Sequence, residues 1–117
     1  MNDYLLLFRG RNASQSPEQM QRALERWQAW FADLRATGRL KDRGHPLEDG
    51  RKIVGGKQRV VTDGPFIEVK DLVNGYIVIE ADDIDAATEL AKGCPTLDAG
   101  GSVEVRPVRP HGTRDGA

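Results

Sequence analysis

The sequence predicts an α+β fold in which two helices cover one face of an antiparallel sheet. Three observations support this prediction. The chain has 117 residues, enough for one hydrophobic core with a sheet layer and a helix layer but not for a second domain. Two segments repeat apolar residues at the helical period, and several shorter ones alternate or are β-branched. These segments follow one another as strand, helix, hairpin, strand, helix and strand.

The first strand and the first helix have the clearest patterns. Residues 4–8 form a short apolar run with an aromatic residue at each end, which favours a buried strand. Ser16 can then cap a helix, Pro17 suits its first position, and Gln19 can complete a capping box. Apolar side chains recur at steps of three and four and predict one buried stripe: Met20, Leu24, Trp27, Phe31 and Leu34. Gly38 is expected to end this helix.

The middle of the chain predicts a hairpin. Residues 40–47 are ambiguous, whereas residues 51–54 and 57–62 each end in β-branched side chains. Between them, Gly55 and Gly56 tolerate the positive φ angles of a tight turn.

The last third predicts a strand, a helix and a strand. In residues 75–81, Ile77, Ile79 and Ala81 alternate with another set, Tyr76, Val78 and Glu80. Asp82 or Asp83 is expected to cap the second helix, and Gly93 with Pro95 to end it. Its inner face is expected to hold Ile84, Ala87, Leu90 and Ala91. Residues 103–107 then alternate as a final strand.

This order resembles a ferredoxin-like α+β sandwich with an extra hairpin strand. The sheet face away from the helices is expected to carry Tyr76, Val78, Glu80, Glu104 and Arg106 with part of the first strand. Such a mixture is too apolar to be left wholly in water. A second copy of the chain is the simplest cover, and it predicts a homodimer with a partly polar cavity between the two sheets.

Composition narrows the functional classes. Lys and Arg total 17 against 18 Asp and Glu, so nucleic acid meets no attractive overall field. Basic residues are nevertheless concentrated between residues 39 and 59, a segment that is either a solvated surface or attractive to a small anion. Cys94 is the only cysteine, which excludes an internal disulfide and fits a reducing compartment. No run is long enough for a signal peptide or membrane span, so a cytoplasmic protein is expected. We expect one domain at residues 1–109 and a disordered tail at 110–117.

Several kinds of site are excluded by spacing. The chain lacks a P-loop and a GxGxxG motif, and His45 and His111 have no metal-ligand spacing, so neither a metal nor an organic cofactor is expected. Trp27 and Trp30, three residues apart on a helix, either stack a planar ligand or pack in the core, and core packing is favoured.

The stretch "TDGPF" at residues 62–66 is the main candidate site, and it allows two interpretations. Asp-Gly is common turn chemistry, and Pro65 restricts Gly64, so local geometry alone can explain the motif. Alternatively, Asp63 is a carboxylate at the end of an inward-facing strand, where Phe66 lowers the local dielectric and suits it to general acid or base work. Strand alternation places Arg59, Val61 and Asp63 on one side, and a nearby Arg59 or Lys70 would make Asp63 a permanent anion.

The same stretch resembles a known family. The Asp-Gly-Pro-Phe motif, followed by Glu-x-Lys and a Gly-Tyr strand, is similar to the YCII-related proteins, specifically their DGPF-domain branch. Residues 60–95 and 101–108 carry the resemblance most strongly. It implies a dimeric α+β barrel of ferredoxin-like subunits, with Asp63 as the family's acidic residue and Gly64, Pro65 and Phe66 around it. Some relatives act on small muconate-type or lactone substrates by elimination or isomerisation. The family's His-Asp pair is incomplete here, because the first helix contains no histidine.

Two functional hypotheses follow. The first is a dimeric module that binds a small, possibly anionic molecule in a cavity at Asp63. Its expected ligand-binding residues are Gly64, Pro65, Phe66, Arg59, Lys70, Tyr76, Glu80, Glu104 and Arg106. The alternative is a lyase or isomerase without a cofactor, in which Asp63 moves a proton and Arg59 or Lys70 holds an anionic substrate.

Overall fold

The structure is a computed structural model that describes residues 1–10 and 16–110. His111 and nearly all of the predicted tail therefore lie outside the described residues. The elements follow in the order β1 (Asn2–Arg9), α1 (Pro17–Ala36), β2 (Leu40–Pro46), β3 (Ile53–Gly55), β4 (Val60–Thr62), β5 (Val73–Ala81), α2 (Ile84–Ala91) and β6 (Ser102–Pro107). Short 3-10 turns occupy Val69–Asp71 and Pro95–Ala99.

The main sheet has four strands in the order β2-β5-β1-β6. All of its neighbouring strands pair antiparallel, and the two long strands β1 and β5 lie at its centre. Helix α1 follows β1, and α2 follows β5 before the chain enters β6. This order confirms the α+β, ferredoxin-like prediction.

The hairpin is confirmed, but its predicted turn is wrong. Strands β3 and β4 form a separate two-stranded sheet in which Gly55 pairs with Val60. The turn therefore spans the four residues 56–59 rather than two glycines. Arg59 ends this turn at φ 57°, so the predicted alternation of Arg59 with Val61 and Asp63 along one strand does not occur.

Helix α1 begins as predicted. The Gln19 N–H donates to Ser16 Oγ at 3.1 Å, and the Ser16 N–H donates to Gln19 Oε1 at 2.8 Å, which completes the capping box. At the other end, the backbone N–H of Thr37 donates to the Asp33 carbonyl, and Gly38 follows at φ 70°.

The buried side of α1 differs from the predicted stripe. Trp30 and Leu34 are buried, whereas Met20 and Leu24 are exposed. Trp30, which the predicted stripe did not include, is therefore part of the hydrophobic core. The N-terminal turns of α1 border open cavities instead of the sheet, which explains the exposure of Leu24.

The hydrophobic core lies between the helices and one face of the sheet. Strand residues alternate as predicted, and the buried set consists of Tyr4, Leu6, Phe8, Ile77, Ile79 and Ala81 from the strands with Trp30, Leu34, Ala87, Ala91 and Cys94. Asp83 caps α2 by accepting a hydrogen bond of 2.8 Å from the Ala86 N–H. Ile84, in the first turn of α2 and predicted to face inward, is 45% exposed.

The ambiguous segment forms the edge strand β2. Its pairing with β5 is irregular at two places, between Leu40 and Asp42 and between Asp42 and His45. Gly44 lies in the second irregularity at φ 60°.

Neither helix of the described residues has the length and hydrophobicity needed to cross a membrane.

Candidate functional site

The DGPF loop, residues 63–66, follows directly after β4. Its second residue, Gly64, has φ 79°, a backbone conformation that residues with a side chain rarely adopt. A Cβ there would also lie 2.6 Å from Ile53 Cγ1. The Gly64 N–H donates to Thr62 Oγ1 at 3.0 Å, and Arg51 donates to the Pro65 carbonyl. The loop is therefore attached to its own hairpin through Thr62 and Arg51.

Asp63 forms an ion pair across the hairpin. Its Oδ1 lies 2.6 Å from Lys52 Nζ, and the two side chains are 82% and 71% exposed respectively. Exposed ion pairs contribute only about 0–1 kcal/mol to stability. Phe66 is 90% exposed, so the expectation that it shields Asp63 from water is wrong in this structure. The structure gives Asp63 a cationic partner but no enclosure.

The cation beside Asp63 is not one of the two predicted from the sequence. Arg59 lies in the β3–β4 turn, and Lys70 lies in the turn Val69–Asp71, where its Nζ is 3.7 Å from Glu68 Oε2. The partner of Asp63 is Lys52, one of the basic residues between residues 39 and 59. The signal was the hairpin register: because Ile53 pairs with Thr62, Lys52 lies next to Asp63.

The other predicted site residues lie on the open sheet face, the face of the main sheet away from the helices. Its centre is apolar, since Leu5 is opposite Val78 and Leu7 is opposite Tyr76, all four half-buried. Ion pairs flank this centre. They are Lys41 with Asp3 and with Glu80, each at 3.6 Å, Arg9 with Glu104 at 2.8 Å, and Arg106 with Glu104 at 3.8 Å.

A cavity of about 440 Å³ lies between the base of the hairpin and the sheet. Arg9, Arg51 and Ile67 line it. Arg9 donates to Glu104 on the open sheet face and, at 2.9 Å, to the Asp71 carbonyl. Arg51 donates to the DGPF loop. The open sheet face and the DGPF loop therefore each contact this cavity through an arginine, Arg9 for the sheet face and Arg51 for the loop. Asp63 itself is exposed.

The two tryptophans and Cys94 belong to the hydrophobic core or pack against it. Trp30 packs in the core and donates from Nε1 to the Leu90 carbonyl at 3.2 Å, whereas Trp27 is half-buried. Cys94 is buried, and this burial raises the pKa of its thiol. Within residues 1–10 and 16–110, no group of three or more His, Cys, Asp and Glu side chains could hold a metal ion.

The chain matches a protein family and is similar to solved structures. The model of the YCII-related domain matches residues 3–111. A similar solved structure is 5-chloro-2-hydroxyhydroquinone dehydrochlorinase from Burkholderia phenoliruptrix AC1100, in complex with 2,5-dihydroxybenzoquinone. The two chains are 19% identical over 94% of this chain and 95% of the other, with a TM-score of 0.48. No curated protein matches the chain significantly.

Proposed function

The chain belongs to the YCII-related family, and on that premise we propose that it is a homodimeric protein that binds a small anionic molecule beside Asp63. The Asp-Gly-Pro-Phe motif at residues 63–66 supports the further proposal that the chain belongs to the DGPF-domain branch of that family.

The observation that carries the proposal is the exposure of apolar side chains around the DGPF loop. Seven such side chains are exposed within the hairpin and the segment after it: Ile53, Val54, Val60, Val61, Phe66, Ile67 and Val69. Scattered exposed apolar residues are normal, but a group of this size in one segment is typical of an interaction surface. A second protomer that covers the hairpin would bury these side chains and enclose Asp63.

The open sheet face supports the same assembly. An apolar centre with ion pairs at its margins is the usual composition of a protein interface. Because a twofold dimer brings the same surface of each protomer together, the Leu5 and Val78 region of one copy would meet that of the other. The protomer is also extended: its radius of gyration is 16.2 Å, against about 13 Å for a compact domain of this length.

The chemistry of the site follows from its ion pair. Lys52 offers an ammonium group to an anionic ligand, and Asp63 offers a hydrogen-bond acceptor 2.6 Å away. In water this pair is screened, whereas under a covering protomer the lower dielectric would strengthen both the attraction of Lys52 for a ligand anion and the repulsion of that anion by Asp63. The anionic group of the ligand is therefore expected at Lys52, and a hydrogen-bond donor of the ligand at Asp63. Arg9 and Arg51 line the neighbouring cavity together with Glu48, Asp49 and Asp71, so that cavity adds no net positive charge and the proposed anion contact rests on Lys52.

An enzyme of lyase or isomerase type is the second candidate. The observation that favours it is again the Asp63–Lys52 pair, which combines a proton acceptor with a cation on one hairpin. A general base within reach of the substrate C–H can abstract the proton while a neighbouring cation holds the substrate's charge. Asp63 would be the general base, and Lys52 would hold the substrate's charge.

The dimer is tested by size-exclusion chromatography with light scattering at micromolar concentration. We expect a mass of twice the 12.9 kDa protomer. Val78→Lys, which adds a charge at the centre of the open sheet face, should give a folded monomer by circular dichroism. Ala32→Lys adds the same charge to an exposed position on α1 and should stay dimeric. A monomeric natural protein would overturn the proposed assembly.

Ligand binding is tested by calorimetry with muconolactone, a lactone that carries one carboxylate. Lys52→Met should weaken binding by about fivefold, the effect of losing one partly exposed charge contact. Lys92→Met is the matched control, because Lys92, like Lys52, forms an exposed ion pair; its partner is Glu89 on α2, at 2.8 Å. Equal losses in both variants, or no binding to the natural protein, would contradict a site at Asp63.

The two candidate functions are separated by hydrogen exchange in D₂O. An enzyme should replace the acidic C–H proton of muconolactone with deuterium, visible by NMR, and Asp63→Asn should abolish that exchange. A binding protein should bind muconolactone without accelerating exchange.

A further inference from the structure

A second recess, separate from the DGPF loop, lies between α1 and β2. This α1–β2 cleft has a volume of about 380 Å³ and is lined chiefly by Phe8, Trp27, Phe31, Arg43, His45 and Gly75. The volume lies within the range of small-molecule pockets and suffices for about two fused rings. We propose that the α1–β2 cleft binds a planar aromatic carboxylate, with its rings on Trp27 and Phe31 and its carboxylate at Arg43.

One wall of the cleft is aromatic. The ring centroids of Trp27 and Phe31 are 5.9 Å apart with an interplanar angle of 29°, and Phe8 meets Trp27 edge-on at 5.3 Å. Trp27 and Phe31 are only half-buried, so part of each ring remains free for contact. Flat aromatic surfaces favour a flat aromatic ligand through stacked and edge-to-face contacts.

A glycine borders the inner end of the cleft in close contact with Phe8. A Cβ added at Gly75 would lie 3.2 Å from Phe8 Cδ2 and 3.5 Å from the His45 carbonyl oxygen. A larger residue there would push the Phe8 ring from its position on the cleft wall.

The opposite wall is shaped by the irregular part of β2. Register shifts occur on both sides of Asp42, and the Gly44 N–H donates to Asp42 Oδ1 at 2.8 Å. Such bulges change the direction of neighbouring side chains. Here the flanking residues Arg43 and His45 both line the cleft, and Arg43 Cζ lies 5.3 Å from the centroid of the Phe31 ring. The cation and the aromatic wall are thus within reach of one small ligand.

The charges of the cleft select an anion. Its described lining includes Arg43 and His45 but no Asp or Glu side chain. A ligand carboxylate would therefore meet a guanidinium group, which can bind it with two parallel hydrogen bonds, and no like charge on the walls. All of these walls belong to one protomer, so the inference does not depend on the proposed dimer or on Asp63.

The test is a titration of the ¹⁵N-labelled full chain with 2-naphthoate, followed by NMR. The chain has two tryptophans, and the Trp30 indole N–H is engaged with the Leu90 carbonyl. We therefore expect a saturable shift of the Trp27 indole signal and of the Arg43 and His45 amides, with little change at Trp30. The neutral analogue 2-naphthylmethanol should bind about fivefold more weakly, because it lacks the charge.

Two arginine variants locate the carboxylate. Arg43→Gln should weaken 2-naphthoate binding about fivefold. Arg35→Gln is the matched control, because Arg35 Cζ lies 6.0 Å from the same Phe31 ring but does not line the cleft. Lys52→Met should leave 2-naphthoate affinity unchanged, which separates this site from the one proposed beside Asp63. Shifts confined to other residues, the absence of saturable binding, or equal losses in the two arginine variants would overturn the inference.

Discussion

Gly44 lies directly against the backbone of Tyr76. A Cβ added at Gly44 would be 1.8 Å from the Tyr76 carbonyl oxygen and 2.7 Å from its carbonyl carbon. Gly44 also has φ 60°, so both its conformation and its surroundings require glycine. The contact lies where β2 pairs irregularly with β5, beside the α1–β2 cleft.

Gly44→Ala should therefore be among the most damaging single substitutions in the chain. We expect a loss of about 3 kcal/mol or more in the free energy of unfolding, because the clash is with backbone that cannot move independently of the sheet. Gly38→Ala is the control: Gly38 has φ 70° but nothing within 4 Å of an added Cβ, so only about 1 kcal/mol of backbone strain is expected. Urea denaturation measures both. Similar losses would show that strain, not contact, dominates at Gly44.

Trp30 joins the two helices through its indole. Trp30→Phe removes the hydrogen bond to the Leu90 carbonyl and part of the buried ring, which should lower the free energy of unfolding by about 1–3 kcal/mol.

Gly93 lies beside the same ring, and a Cβ there would be 3.1 Å from Trp30 Nε1 and Cδ1. Gly93→Ala should thus be destabilising in the natural protein and less so in Trp30→Phe. Additive effects in this double-mutant cycle would contradict the contact.

The buried thiol predicts a pH dependence of stability. Burial is the main cause that raises the pKa of Cys94 above its ordinary value of 9.0, and Asp98 adds to it, while hydrogen bonds with Thr96 act in the opposite direction. The folded protein therefore keeps the thiol proton at pH values where the unfolded chain has lost it. The stabilising contribution is complete below about pH 9 and declines as pH rises through the folded-state pKa, by at most about 1.4 kcal/mol per pH unit.

Urea unfolding of the natural protein and Cys94→Ala between pH 7 and pH 10 checks this prediction. The difference between their unfolding free energies should shift in favour of the alanine variant as pH rises, because that variant has no thiol to ionise. A difference that is constant across this pH range would show that Cys94 titrates alike in the folded and unfolded chains.

Local patterns were sufficient where the interactions are local. The capping box joins Ser16 to Gln19, three residues away, and the alternation of Ile77, Ile79 and Ala81 depends only on the period of a strand. The edge strand β2 has no such pattern, because its side chains are mostly polar and it is held by backbone pairing with β5. Its contribution to the cleft could be found only from the three-dimensional structure.

Turn length explains what sequence analysis missed at the site. A two-residue turn at Gly55 and Gly56 would pair Lys52 with Arg59, whereas the four-residue turn brings Lys52 to Asp63. In a hairpin, the loop length fixes the register and hence every cross-strand partner. The motif identified Asp63 as a candidate site residue. Its cationic partner, Lys52, could be identified only from the register of the hairpin.

The Asp63–Lys52 pair leads to a last prediction, about stability rather than ligand binding. Because both side chains are mostly exposed, Asp63→Asn should change the free energy of unfolding by no more than about 1 kcal/mol. Gly64→Val, one residue later, should cost more, because its φ of 79° is strongly unfavourable for a β-branched side chain. Thermal unfolding of the two variants makes the comparison. If Asp63→Asn is nearly as stable as the natural protein, any loss of muconolactone exchange in that variant reflects chemistry at the carboxylate. A large loss of stability in Asp63→Asn would instead identify Asp63 as a structural residue of the turn.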